Sequence, residues 1–134
     1  MLRGTCQCEG VEVAVDEVDP VGICCYCSIC RKIAGAPFAA VVTTTREAFR
    51  VVRGSELLVK YNATPNYDRW HCGRCHASIF GEVTDKATFP LFVSAALLEP
   101  TDIAHVKFDH MFVRSLVPWF HIADDRPRHD TYPG

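Results

Sequence analysis

Eight cysteines in 134 residues constrain this chain more than any other feature, because they fall in groups. Cys25-Tyr26-Cys27-Ser28-Ile29-Cys30 places three thiols at C-x-C-x-x-C spacing. Cys6 and Cys8 form C-x-C near the start, and Cys72 and Cys75 form C-x-x-C in the middle. Three converging thiols cannot all pair as disulfides, but they can share one soft cation. Zn²⁺ binds thiolates at roughly 2.3 Å, usually four of them where the site is structural. Three protein ligands leave a fourth position for water or substrate, which is the catalytic pattern. The spacing therefore predicts a closed site on Cys6, Cys8, Cys72 and Cys75, and an open one on Cys25, Cys27 and Cys30. Cys24 is left over.

Other readings of the same thiols are open at this point. One is a disulfide framework of the kind found in small secreted domains. Met1-Leu2-Arg3-Gly4-Thr5-Cys6 lacks an apolar signal segment, so a reducing, cytoplasmic setting is expected instead. A second is one structural zinc with the remaining cysteines packed as core. A third exchanges Cys24 for Cys25 as ligand. Strand alternation decides between those two: a strand over Val21–Cys25 would put Cys25 and Cys27 on one face and Cys24 on the other.

The chain length suits one domain, residues 1–134, with a loose tail after about Asp124. A hydrophobic fraction of 49% with 22% charged residues is ordinary for a globular protein. A formal net charge of −2 argues against a nucleic-acid partner held by phosphate attraction. No apolar run is long enough for a membrane span.

Short strands with turn signals predict a mainly β, mostly antiparallel fold. Val11–Val15 alternates apolar and polar types. Strands are also expected over Val21–Cys25, Phe38–Thr45, Leu57–Tyr61, Tyr67–His71, Ser78–Val83 and Phe89–Leu97. His105–Phe108 and Met111–Ser115 read as shorter β runs. Arg31–Gly35 reads as a helical turn closed by Gly35, Arg46–Phe49 as another turn, and Asn62–Asn66 as a loop. Trp119 is expected to anchor the C-terminal segment.

Four segments together resemble the glutathione-dependent formaldehyde-activating enzyme family, which also includes centromere protein V. They are Gly4-Thr5-Cys6-Gln7-Cys8, "CYCSICRKIAGAPF" from Cys25, "WHCGRCHASIF" from Trp70, and "HMFVRSLVPWFHIADDRP" from His110. The resemblance implies a β-tent, antiparallel sheets tied by zinc sites, as in methionine sulfoxide reductase B. It implies two zinc ions, a structural one on Cys6, Cys8, Cys72 and Cys75 and a second on Cys25, Cys27 and Cys30. It implies carbon–sulfur lyase or synthase chemistry on a thiol–aldehyde adduct such as S-hydroxymethylglutathione. Three departures stand out: Tyr26 where members often have His, and Glu9 and His76 where Gly is common.

A zinc already carrying three thiolates favours a fourth, substrate thiol over water activation. An anionic thiol such as glutathione would need nearby cations; Arg31 and Lys32, directly after the last ligand, are the first candidates, and Arg69 and Arg74 flank the second cysteine pair. A solvated face is the alternative reading for all four, least so for Arg31. His71 and His76 flank the second cysteine pair and read as surface residues, with a hydrogen bond to a thiolate as the alternative. His110 and Arg114 would share a face in a strand and read as residues of packing and polar satisfaction. Trp70, Trp119, Phe112 and Phe120 read as core. A zinc-stabilised binding module without catalysis is the rival function, and a fourth protein ligand at the second site would favour it. The oligomeric state stays open, a homodimer included.

Overall fold

The computed structural model describes residues 1–85 and 87–134. Its strands are β1 (Leu2–Thr5), β2 (Glu12–Val15), β3 (Val21–Cys25), β4 (Ala39–Thr44), β5 (Phe49–Arg53) and β6 (Leu58–Thr64). β7 (Tyr67–Cys72), β8 (Ser78–Val83), β9 (Leu91–Ser94) and β10 (Lys107–Met111) complete them, and α1 (Ser28–Ala34) is the one α-helix among the described residues. Two sheets form. The smaller has the order β1-β2-β5, and the larger the order β10-β3-β4-β9-β8-β7-β6. The expected mainly β, single-domain fold is what the chain adopts. No helix in the described residues is long and apolar enough to cross a membrane.

The core lies where the two sheets face each other. Val11, Val13 and Val15 from the β2 region meet Val42 of β4, Ile79 of β8 and Val93 of β9, all fully buried. Full burial of such side chains stabilises by about 1.5–3 kcal/mol each. Ala14 is buried too, so β2 is covered on both faces rather than half-buried as its alternation suggests. Gly4 sits where a side chain would collide with the Leu97 carbonyl, so only glycine lets β1 approach the larger sheet's connection there.

Several boundaries differ from the sequence reading. Asn62–Thr64 belongs to β6, because the reversal is a two-residue hairpin with Asn66 at φ 64. Asn tolerates that left-handed backbone. Only Leu91–Ser94 of the Phe89–Leu97 run is strand. Pairing with β4 ends at Ser94, and Ala95–Leu97 turns as a 3-10 segment so that Leu98 can bridge Gly4 of the small sheet. Phe112, at φ 56, stops β10, so Val113–Ser115 is a 3-10 turn and His110 and Arg114 share no strand face.

One strand pair breaks the antiparallel pattern. β10 runs parallel to β3, with Met111 beside Cys25 and His110 beside Cys24. The tail expected to be loose then folds along β10. His110 N–H donates to the Pro127 carbonyl at 2.9 Å, and Phe112 N–H to the Thr131 carbonyl at 3.1 Å. Arg126 pairs with Asp109 at 2.6 Å. Trp119 anchors nothing there: it is 70% exposed, and Phe120 turns inward instead.

Candidate metal centres and the adjoining cleft

Cys6 and Cys8 leave the end of β1, while Cys72 ends β7 and Cys75 lies in the turn before β8. The four sulfurs all fall within 4.8 Å of one another. Cys6 and Cys8 sulfurs are 3.6 Å apart, and Cys8 and Cys72 sulfurs 3.8 Å. A tetrahedral ion with bonds of roughly 2.3 Å demands sulfur separations of about 3.8 Å, so the set fits such an ion. Backbone donors already face the sulfurs. Val11 N–H reaches Cys6 Sγ at 3.3 Å, and Arg74 N–H reaches Cys72 Sγ at 3.4 Å. The N–H groups of Ala77 and Cys8 hold the Cys75 thiol down to about 6. Those of Cys75 and Arg74 lower Cys72, whereas burial raises Cys6. Hydrogen bonds to the charged form favour thiolate, the state in which sulfur binds a metal.

The second set forms where β3 gives way to α1. Cys25 is the last residue of β3, Cys27 is the N-cap of α1, and Cys30 lies in its first turn. Cys30 N–H donates to Cys27 Sγ at 3.3 Å, so one ligand side chain also caps the helix. Gly35 closes α1 in the left-handed conformation, as its position suggested. The three sulfurs again lie within 4.8 Å of one another, and no further His, Cys, Asp or Glu joins them among the described residues. Cys25 hydrogen-bonds Cys30, which pulls Cys30 down to about 5, with the Arg69 charge adding to the effect. Cys25 itself is pushed up by that same bond and by burial. Cys24 points away from the set, and burial pushes its thiol up to about 12.

A cleft of about 510 Å³ runs from Cys30 to Gln7 and Ala77, beside the four-cysteine set. Phe38, Phe92 and Tyr67 give it apolar walls, and Arg69 is the cation on it. Arg69 Nη2 lies 3.7 Å from Cys30 Sγ, and its guanidinium stacks on the Tyr67 ring at 5.0 Å. The volume is in the range of small-molecule sites.

These two clusters sit in a chain of which residues 1–115 match the model of one family, described as glutathione-dependent formaldehyde-activating enzyme. The chain belongs to that family. A Halomonas elongata protein provisionally named as a glutathione-dependent formaldehyde-activating enzyme is 34% identical over 86 residues. That match covers 60% of this chain and 55% of the relative, so the chain spans about half the length of the curated relative it matches. A crystal structure of a Rhodobacter sphaeroides protein superposes with a TM-score of 0.64 at 28% identity, covering 79% of this chain and 98% of the other.

In this family member, the structure brings together all seven cysteines expected to bind metal, in the expected four and three. Arg31, expected at the substrate, instead donates from Nε to the Tyr26 carbonyl at 3.2 Å. Arg69, read as surface, is the cation at the three-cysteine set; only the β7 register, unreadable from local spacing, puts it there. His71 and His76 rings are 6.2 Å apart, and neither bonds a cysteine sulfur among the described residues. His110, expected to serve packing and polar satisfaction, bonds Tyr26 Oη through Nδ1 at 2.9 Å and Asp124 through Nε2 at 3.0 Å. Tyr26 is 1% exposed, and burial pushes its hydroxyl up to about 12. The residue between the first two ligands of the second set is thus fixed by β10 and the tail. Its backbone N–H also donates to the Met111 carbonyl at 3.1 Å.

Proposed function

We propose that this protein is a zinc-dependent carbon–sulfur lyase or synthase acting on a thiol–aldehyde adduct such as S-hydroxymethylglutathione. One observation carries the reading: Cys25, Cys27 and Cys30 converge without a fourth ligand among the described residues, next to a cleft of small-molecule size. A fourth protein ligand, which would favour the binding-module reading, does not join that set among the described residues. We also read the arrangement of two sheets tied by zinc as a β-tent, working in the cytoplasm.

Zinc held at the second set would supply a positive centre that favours a substrate thiol as its thiolate. The chain's own residues supply the rest. The α1 cap and the Tyr26–His110–Asp124 chain hold the three sulfurs in place before substrate arrives. Phe38 and Phe92 give the cleft apolar walls. Arg69 opposes the negative charge that accumulates around Cys30. The net reaction adds a thiol S–H across an aldehyde C=O. A carbon–sulfur bond forms, the carbonyl oxygen takes the proton, and the reverse direction breaks the same bond.

Cobalt substitution tests this reading. Glutathione added to the Co²⁺ protein should raise the near-ultraviolet thiolate–cobalt band, and Cys27→Ser should abolish the change. The response should grow as pH rises toward the free thiol pKa of about 8.5, because binding releases a proton. A spectrum unmoved by glutathione or any other small thiol would overturn the proposal.

A further inference from the structure

Among the described residues, Arg69 is the cation that lines the cleft. Arg3, Arg46, Arg50, Arg53, Lys60 and Arg126 each pair with a carboxylate. Arg69 lies on β7 in the half-buried floor of the cleft, yet has no carboxylate partner among the described residues. Its one hydrogen bond runs from Nη2 to Cys30 Sγ. Its Nε is sealed from solvent with no partner. Nη1 is neither bonded nor sealed. The Tyr67 ring under the guanidinium, itself packed against Phe92, fixes the plane of the group. A guanidinium held in this way, with free donors and a wall of low polarity, is arranged for a planar anion.

We infer that Arg69 is the specificity-determining residue of the cleft and takes a carboxylate of the incoming thiol. This rests on the proposed thiol reaction and names the group that selects its substrate. The geometry assigns the sulfur end of the substrate to the cysteine set and the acidic end to the exposed donors of Arg69. An acidic thiol then meets two fixed points in one cleft, whereas a neutral thiol meets one. Arg31 does not line the cleft, and its Nε is turned to the Tyr26 carbonyl.

The test separates this inference from the reaction itself. S-methylglutathione keeps both carboxylates and cannot form a thiolate, so its binding reports on the anion contact alone. Calorimetry on the zinc-loaded protein should give a measurable Kd that weakens as salt rises. Arg69→Met should weaken it at least ten-fold, Arg69→Lys should recover part of the loss, and Arg31→Met should leave it unchanged. Melting temperature and zinc content of each variant establish that it is folded and loaded. If Arg69→Met fails to fold, the Arg69→Lys affinity decides, because a point charge without the planar fork should still lose several-fold. No binding of S-methylglutathione by the wild type, or equal affinities for wild type and both Arg69 variants, would overturn the assignment. Loss of the glutathione response in the cobalt spectrum with S-methylglutathione binding intact would instead count against the reaction and for the anion site.

Discussion

The two cysteine clusters offer the same donor chemistry from opposite structural settings. Cys6 and Cys8 come from the small sheet's first connection, and Cys72 and Cys75 from the large sheet. Their cluster joins parts of the chain 64 positions apart, as the Cys8–Cys72 contact shows. The second cluster lies within one β3–α1 junction and closes almost no loop. By the chain-entropy model for cross-links, closing a loop of about 64 residues stabilises by roughly 4 kcal/mol, before any metal–sulfur bond is counted. That is a large share of a typical domain stability of about 5–15 kcal/mol. On the proposed function, ligand number and loop length together separate a fastening from a workplace.

The largest effect should come from breaking the fastening. Cys72→Ser should lower the melting temperature by at least about 10 °C or leave the protein unfolded, since metal binding at such a site is folding energy. Cys27→Ser should lose about one equivalent of metal with circular dichroism near wild type. Thermal melting with metal analysis on both variants checks the pair. An unchanged melt for Cys72→Ser, or global unfolding of Cys27→Ser, would reverse the roles given to the two clusters.

A smaller effect should follow from loosening the workplace without touching a ligand. His110 is 4% exposed and joins Tyr26 to Asp124. Partners that orient a metal site's ligands typically contribute 10–100-fold in affinity. His110→Ala should therefore weaken second-site metal binding by about that factor while the four-cysteine site keeps its ion. Chelator competition followed by the cobalt spectrum reads the two sites separately. Tyr26→Phe should reproduce most of the loss, and the double variant should add little to it, because one chain of hydrogen bonds is broken in either case. Additive losses would show that His110 acts by packing alone.

The comparison also explains what could be read in the chain beforehand. Both ligand sets were legible because ligation within C-x-C and C-x-x-C is local, and two half-sites need only find each other. Val21–Cys25 and Ser78–Val83 were legible as strands from their composition and turn signals. Arg69 was not, since its contact with Cys30 spans 39 positions and depends on how β7 sits in the sheet. The partners of His110 were hidden for the same reason. They need the parallel β3–β10 pair and a tail whose polar composition reads as loose. Tail order comes from backbone hydrogen bonds along β10 and from side-chain pairs such as Arg126–Asp109, whose partners local spacing does not reveal.

The smallest effect concerns the turns around the fastening. Glu9 and His76 occupy equivalent places, each just after the last cysteine of its pair, at φ 62 and φ 65. Each N–H closes its turn by donating back, Glu9 to the Cys6 carbonyl at 3.0 Å and His76 to the Cys72 carbonyl at 2.8 Å. A left-handed backbone costs a residue with a Cβ roughly 1–2 kcal/mol. Glycine removes that strain but returns about 0.5–1 kcal/mol through the entropy of the unfolded chain. Glu9→Gly and His76→Gly should each stabilise by a net of up to about 1 kcal/mol, or a few degrees of melting temperature. Asn66→Gly, at φ 64 in the β6–β7 hairpin, should gain less, because Asn already tolerates this conformation. The three melts measured side by side check the ranking. Neither knuckle variant should change metal affinity at the Cys25, Cys27 and Cys30 set. If either one did, the two clusters would be coupled through the cleft between them, and the division into fastening and workplace would fail.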